Sequence, residues 1–198
     1  WATGYDFPAV RNGRVIKEAV PNRGPASRQY FVLNLRKPKF QDRRVRRAIN
    51  LAFDFEWTNT NLFYSLYERS GSIYQNTDMA ATAPPTPAEL ELLAPFRDKL
   101  PPEVFGEEYR QPASDGSGNN RRNLRRAQQL FAEAGWTVKG SQLRNAAGDL
   151  MSIEFLTFSP SFERVFAPIV KNLKRIGADA SIRVVDSSQY TQRVDQAR

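Results

Sequence analysis

No cysteine and no histidine occur among the 198 residues. Composition alone therefore excludes disulfides, thiolate nucleophiles, imidazole bases and zinc held by Cys or His. Long apolar runs are missing too: no window approaches the ~20 residues that a membrane helix requires. What remains is 40% hydrophobic and 25% charged, the balance of an ordinary globular domain that buries roughly 70% of its extended-chain surface. One domain is the default expectation. The start at Trp1 rather than Met suggests a processed product or a piece of a longer protein.

Acidic residues are the scarcer charge. The formal net charge is +8 and the isoelectric point near 10.0, which invites a nucleic-acid reading, because Lys and Arg on phosphates supply most non-specific affinity. The basic residues gather at Arg43 to Arg47, Arg121 to Arg126 and Lys171 to Arg175. Each cluster is interleaved with the apolar positions of a predicted helix, so solvated helix faces account for them, and no nucleic-acid fold signature accompanies them. A real phosphate interface of roughly 6–10 contacts would lose ~10³–10⁵ in affinity between about 50 and 200 mM salt.

Catalytic patterns are thin. The pair Glu107-Glu108 lies in a Pro-rich stretch without an accompanying base or nucleophile. Ser117, within Gly116-Ser117-Gly118, lacks the Gly-x-Ser-x-Gly elbow, and there is no Gly-x-x-x-x-Gly-Lys-Ser/Thr phosphate loop.

Organisation is clearer. Tyr30 to Leu33 is a short continuous apolar run, the pattern of a strand covered on both faces, and Pro38 marks the turn after it. Asp42 is placed to cap a helix whose inward stripe is Val45, Ala48, Ile49, Ala52 and Phe53, and whose periodicity continues through Trp57 toward Leu62. Trp57 and Phe63 read first as packing residues, although Trp57 beside Asn59 and Asn61 would suit a polar aromatic pocket. Before this stretch, Pro21 and Asn12-Gly13 signal turns and Arg14 to Val20 predicts a short strand.

From Thr77 to Asn120 prolines dominate, with a short helix expected from Pro87 to about Phe96. Its apolar residues, such as Phe96, Leu100, Phe105 and Tyr109, call for something to pack against. Asn119 or Asn120 then caps a helix with Leu124, Ala127, Leu130, Phe131 and Ala134 inward and Gly135 at its end. Leu143 to Phe158 predicts a strand pair about Gly148-Asp149. A helix starting at Ser159 or Ser161, bent by Pro168 near Arg164, ends at Gly177. A half-buried strand over Ala178 to Val184 follows. Asp186 or Ser187 starts a last helix with Tyr190, Val194 and Ala197.

Several of these stretches resemble one family. Asn34 ending a strand, Pro38 with Phe40 in a turn, and Asp42 to Ala48 reading Asp-x-Arg-Val-Arg-x-Ala are similar to the second lobe of bacterial extracellular solute-binding proteins of the peptide and nickel class, family 5. The run Phe53-Asp54-Phe55-Glu56-Trp57-Thr58-Asn59, with Leu62-Phe63-Tyr64, is similar to the subgroup associated with microcin C and oligopeptide uptake. RRNLRRAQQLFAEAGW resembles that family's helix ending in Ala-Glu-Ala-Gly and an aromatic.

The resemblance implies an α/β fold: a mixed-sheet lobe of a two-lobed periplasmic binding protein, type II-like, with helices packed on the sheet. Residues 1–198 would form a single domain, the C-terminal lobe of a longer protein, with 77–120 a Pro-rich surface excursion. It further implies a non-catalytic, periplasmic, substrate-binding component of an ABC importer for oligopeptides. Its partners would be a peptide or peptide-like ligand, the N-terminal lobe and membrane permease subunits, with no nucleic acid, metal or cofactor. By position along the family pattern, Ser27, Arg28, Tyr30, Val32, Ser159, Arg164 and Arg193 line one wall of the cleft. A basic nucleic-acid-binding α/β domain is the alternative.

Overall fold

The computed structural model describes residues 4–20, 24–25, 27–107 and 109–196; Pro21, Glu108 and Ala197 of the sequence readings lie outside them. In chain order the elements are α1 (Pro8–Arg11), α2 (Arg43–Ala52), α3 (Phe55–Leu62), α4 (Pro87–Leu93), α5 (Arg121–Glu133), β1 (Thr137–Lys139), β2 (Gln142–Arg144), β3 (Ser152–Thr157), α6 (Glu163–Arg175), β4 (Asp179–Val184) and α7 (Ser187–Asp195). The chain divides into two units, one of Trp1–Tyr30 and Glu68–Gln111, the other of Phe31–Tyr67 and Pro112–Arg198.

In the first unit, Asn12-Gly13 forms a turn that closes α1, with Gly13 at φ +78°. The strand expected over Arg14 to Val20 does not form. No strand among the described residues of this unit offers it a ladder, and Ile16 stands 86% exposed. The helix expected from Pro87 is present as α4. Thr86 and Glu89 close a capping box around its start, the hydroxyl accepting from the Glu89 N–H and the carboxylate from the Thr86 N–H. Phe96 and Tyr109 remain largely exposed, contrary to the packing expected of them. Among the described residues this unit buries no apolar side chain, so it has no layer to receive them.

The second unit holds the core. α2 begins where Asp42 accepts the Arg44 N–H at 2.8 Å, and it buries Val45, Ala48, Ile49 and Ala52 against α5. The predicted long helix stops at Ala52. Phe53 takes an extended conformation and Asp54 starts α3 by accepting the Trp57 N–H. Two asparagines from elsewhere make that break tenable. Asn120 donates its amide to the Leu51 carbonyl at 2.9 Å, and Asn172 donates to the Ala52 carbonyl at 3.0 Å, so the end of α2 keeps its acceptors satisfied in the interior.

Asn120 therefore does not cap α5 through its side chain, although it stands at the N-cap position in a left-handed conformation. At the other end, Gly135 at φ +86° lets its own N–H reach Ala132 and the Trp136 N–H reach Phe131. This is a Schellman closure, and Gly177 repeats it at the end of α6.

β3 and β4 pair in parallel, from Ser152 opposite Asp179 to Thr157 opposite Val184, with α6 as their crossover packed on β4. Met151, Ile153 and Phe155 face inward, as the alternation predicted. The strand pair expected about Gly148-Asp149 is reduced to one bridge, Arg144 to Leu150. Instead β2 pairs antiparallel with β1, a three-residue exposed strand too short to show a pattern in sequence. Leu143 joins the two ladders, donating to the Gly177 carbonyl at 2.7 Å and accepting from the Met151 N–H at 3.0 Å.

Tyr30 to Leu33 is not a strand covered on both faces. Phe31 lies edge-on to Phe155 and Phe53 and against Phe166, with ring centroids 5.3–5.8 Å apart, and Leu33 joins the core, while Val32 is 89% exposed and Tyr30 59%. The segment pairs with no described strand, so only alternate residues turn inward, and Phe31 and Leu33 are partly covered rather than buried. α6 runs on through Pro168 and seals the core with Phe166, Ile169 and Leu173. Each such buried side chain contributes about 1.5–3 kcal/mol relative to exposure.

Replacing Asn172 by Ala leaves the Ala52 carbonyl without its buried donor and is expected to cost about 1–3 kcal/mol, read as a lowered urea midpoint. The Asp42 carboxyl lies below the usual carboxylate range, chiefly because the Arg44 side chain hydrogen-bonds to it. A depressed folded-state value stabilises the fold above the unfolded pKa of about 3.9 and is lost as pH falls through the folded value. Acid unfolding followed by circular dichroism is accordingly expected to show a shallower pH slope in Asp42→Asn across that window.

Candidate functional site

The C-terminal ends of the parallel strands carry two of the predicted site residues. β3 leads through Phe158 to Ser159, whose N–H donates to the Thr157 hydroxyl at 3.1 Å and whose own hydroxyl meets that of Ser161 at 2.8 Å. β4 leads to α7, where the Asp186 carboxylate accepts the Gln189 N–H and holds the first turn. Phe158 and Tyr190 pack edge-to-face at 5.1 Å, which ties the segment bearing Ser159 to α7, the helix that carries the half-buried Arg193. In open parallel sheets the C-terminal strand end is where ligands are received.

Val32 belongs to the same unit and points out of its core. Ser27, Arg28 and Tyr30 belong to the first unit. There an Arg28 guanidinium nitrogen donates to the Tyr30 hydroxyl at 3.3 Å, while the buried Arg28 Nε has no hydrogen-bond partner among the described residues. An arginine N–H held dry without an acceptor is an uncommon and costly arrangement.

Arg164 stands apart from Ser159 and Arg193 in its surroundings. It borders a pocket of about 330 Å³ shared by the start of α3, the loop at Gly118 and the outer face of α6, with Asp54, Trp57, Pro168, Lys171 and Asn172 around it. Asp54 is 2% exposed. Its Oδ1 accepts from the Trp57 N–H and the Ser114 hydroxyl, and its Oδ2 has no partner. Ser114 also donates its N–H to Glu56 at 2.9 Å, fastening the loop to the first turn of α3. Further along that loop the Asp115 carboxyl is held below its usual range by the Ser117 hydroxyl and then the Ser117 N–H.

One of the two glycines of this loop is required by space. Gly118 adopts φ +76°, and a Cβ there would lie 2.9 Å from Cδ1 and Nε1 of Trp57. The polar aromatic pocket anticipated from Trp57, Asn59 and Asn61 takes a different form. Asn59 exchanges hydrogen bonds with the Tyr67 backbone and Asn61 donates to the Trp57 carbonyl, so both amides serve the helix end. Sequence position alone gives Asp54, Lys171 and Asn172 no site role. An aspartate between two phenylalanines, ahead of a second helix, was the available sign of the cap.

Comparison with known proteins gives these features a class. Residues 5–198 match the model described as Bacterial extracellular solute-binding proteins, family 5 Middle, and the chain belongs to that family. It is 47% identical over 196 residues to the probable peptide-binding protein YejA of Agrobacterium fabrum, covering 98% of this chain and 32% of that one. To the uncharacterized protein YejA of Escherichia coli it is 43% identical over 195 residues, with 98% and 32% covered. The chain thus spans about a third of the length of the curated relatives it matches.

Among solved structures, the oligopeptide-binding protein AppA of Bacillus subtilis, in complex with a nonapeptide, is similar with a TM-score of 0.54 at 19% identity, over 81% of this chain and 26% of AppA. That likeness concerns the fold, which is α/β with helices on small sheets, as in two-lobed periplasmic binding proteins. Among the described residues, no helix is long and apolar enough to cross a membrane.

Gly118→Ala is expected to destabilise the chain by at least the ~1–2 kcal/mol of a left-handed non-glycine residue, because the indole must also move. The check is a thermal melt alongside the Trp57 indole N–H resonance, which should shift.

Proposed function

We propose that this chain forms one wall of the solute cleft in a periplasmic oligopeptide-binding component of an ABC importer. Ser159 follows the C-terminal end of β3 and Arg193 lies on α7, the helix that follows β4, and the Phe158–Tyr190 contact that ties these two segments carries the reading. In the first unit, taken by itself, Arg28 with its unpartnered Nε and its bond to Tyr30 offers a group of the kind a peptide backbone requires. Val32 offers an apolar contact tolerant of varied side chains.

On this reading residues 1–198 act as part of a C-terminal lobe, and 77–120 form an excursion over its surface. The rest of the family-length chain supplies the opposing wall. Closure traps the peptide between fixed donors and solvent, and the closed form is presented to permease subunits. No bond is made or broken by these residues. The relative named as a probable peptide-binding protein supports the ligand class, and the Phe53 to Asn59 pattern supports the microcin C and oligopeptide subgroup. The exposed Arg43, Arg44 and Arg47 of α2 serve solubility and docking rather than phosphate binding.

Titration calorimetry on a family-length protein carrying these residues tests the wall. Arg28→Ala and Arg193→Ala are each expected to weaken binding of a mixed oligopeptide library about tenfold, ~1.4 kcal/mol, with the melting temperature unchanged. Undiminished affinity in both variants would reject the assignment.

A further inference from the structure

The pocket beside Trp57 has a chemistry of its own. Asp54 places a carboxylate oxygen, Oδ2, in the interior with no hydrogen-bond donor among the described residues, although its other oxygen accepts two hydrogen bonds. A buried acceptor in that condition is costly, and a donor arriving from outside relieves it. Across the pocket, Arg164, Pro168 and Lys171 recur at four- and three-residue spacing on one face of α6, and Arg164 and Lys171 are exposed. Pro168 has no N–H to return to the Arg164 carbonyl, which leaves a further acceptor direction on the same face.

From this arrangement we infer that the pocket is a separate binding site for a small zwitterion, an α-amino acid or a compound of the same charge pattern. A bare ammonium ion would satisfy Asp54 but meet two cations at the rim. A bare carboxylate would satisfy Arg164 and Lys171 and leave Asp54 unmatched. A zwitterion answers both, its ammonium directed at Asp54 Oδ2 and its carboxylate at the guanidinium and ammonium groups of α6. The Trp57 indole contributes an apolar wall and a π-face that favours a nearby ammonium. About 330 Å³ is room for a compact ligand of this kind. Gly118 belongs to the same construction, since a side chain there would displace the indole. The site lies wholly within the second unit and does not depend on capture of a peptide by a longer protein.

The test is an NMR titration of the isotopically labelled chain with L-alanine. The Trp57 indole N–H, assigned through Trp57→Phe, should shift saturably. Asp54→Asn, which keeps a capping oxygen for α3, should weaken binding about tenfold or more, and Lys171→Glu, on the surface, about fivefold or more. Methylammonium and acetate, titrated separately, should each produce less than the alanine response at equal concentration. The inference is overturned if alanine causes no saturable shift, if Asp54→Asn binds as the parent does, or if either single ion reproduces the full response. Should circular dichroism show Asp54→Asn unfolded, Lys171→Glu decides: unchanged alanine affinity in that variant overturns the site.

Discussion

Two asparagine amides at the end of α2 are the constraint on which the second unit depends. Leu51 and Ala52 turn their carbonyls into the interior where the helix stops, and Asn120 and Asn172 answer them from the start of α5 and the last turn of α6. Without those donors the break would leave buried acceptors unpaired, each costing about 1–3 kcal/mol, and α2 would do better to continue. With them, three helices meet at one junction. Asp54 is then free to begin α3, and Asp54 and Trp57 border the pocket shared with α6.

The crossover unit depends on the same junction. α6 carries Asn172 on one side and Ile169, Leu173 and Phe166 on another, so tying Asn172 to α2 also sets how the apolar stripe lies over β3 and β4. Gly177 returns the chain within one turn, and its carbonyl goes to Leu143, which links the parallel ladder to the antiparallel one. The ends of β3 and β4 thereby present Ser159 and α7 side by side. Site and core share their supports.

Sequence periodicity recovered α2, α5 and α6 well, because each of them buries an apolar stripe on one side. Asp42, Asp186, Gly135 and Gly177 all act within their own turn. The failures have a common cause in partners far along the chain. Asn120 looked like a cap and is spent on Leu51 instead, 69 residues away. The apolar run at Tyr30 suggested two covered faces and has one, since no described strand lies beside it. Among the candidate residues, Arg28, Tyr30, Ser159, Arg164 and Arg193 came from family position. The pocket formed by Asp54, Trp57 and α6 joins residues more than a hundred positions apart, and no spacing rule reaches so far.

The amino-acid order by itself determined the absence of thiol and imidazole chemistry, the helix stripes, most helix ends and the family, since these follow from composition and from interactions spanning a few residues. Only the tertiary structure decided that α2 would break at Phe53, that Asp54 would keep an unmatched oxygen in the interior, and which faces would stay open. Those outcomes rest on where distant donors and acceptors meet, and in a dry interior a single hydrogen bond is enough to choose between continuing a helix and ending it.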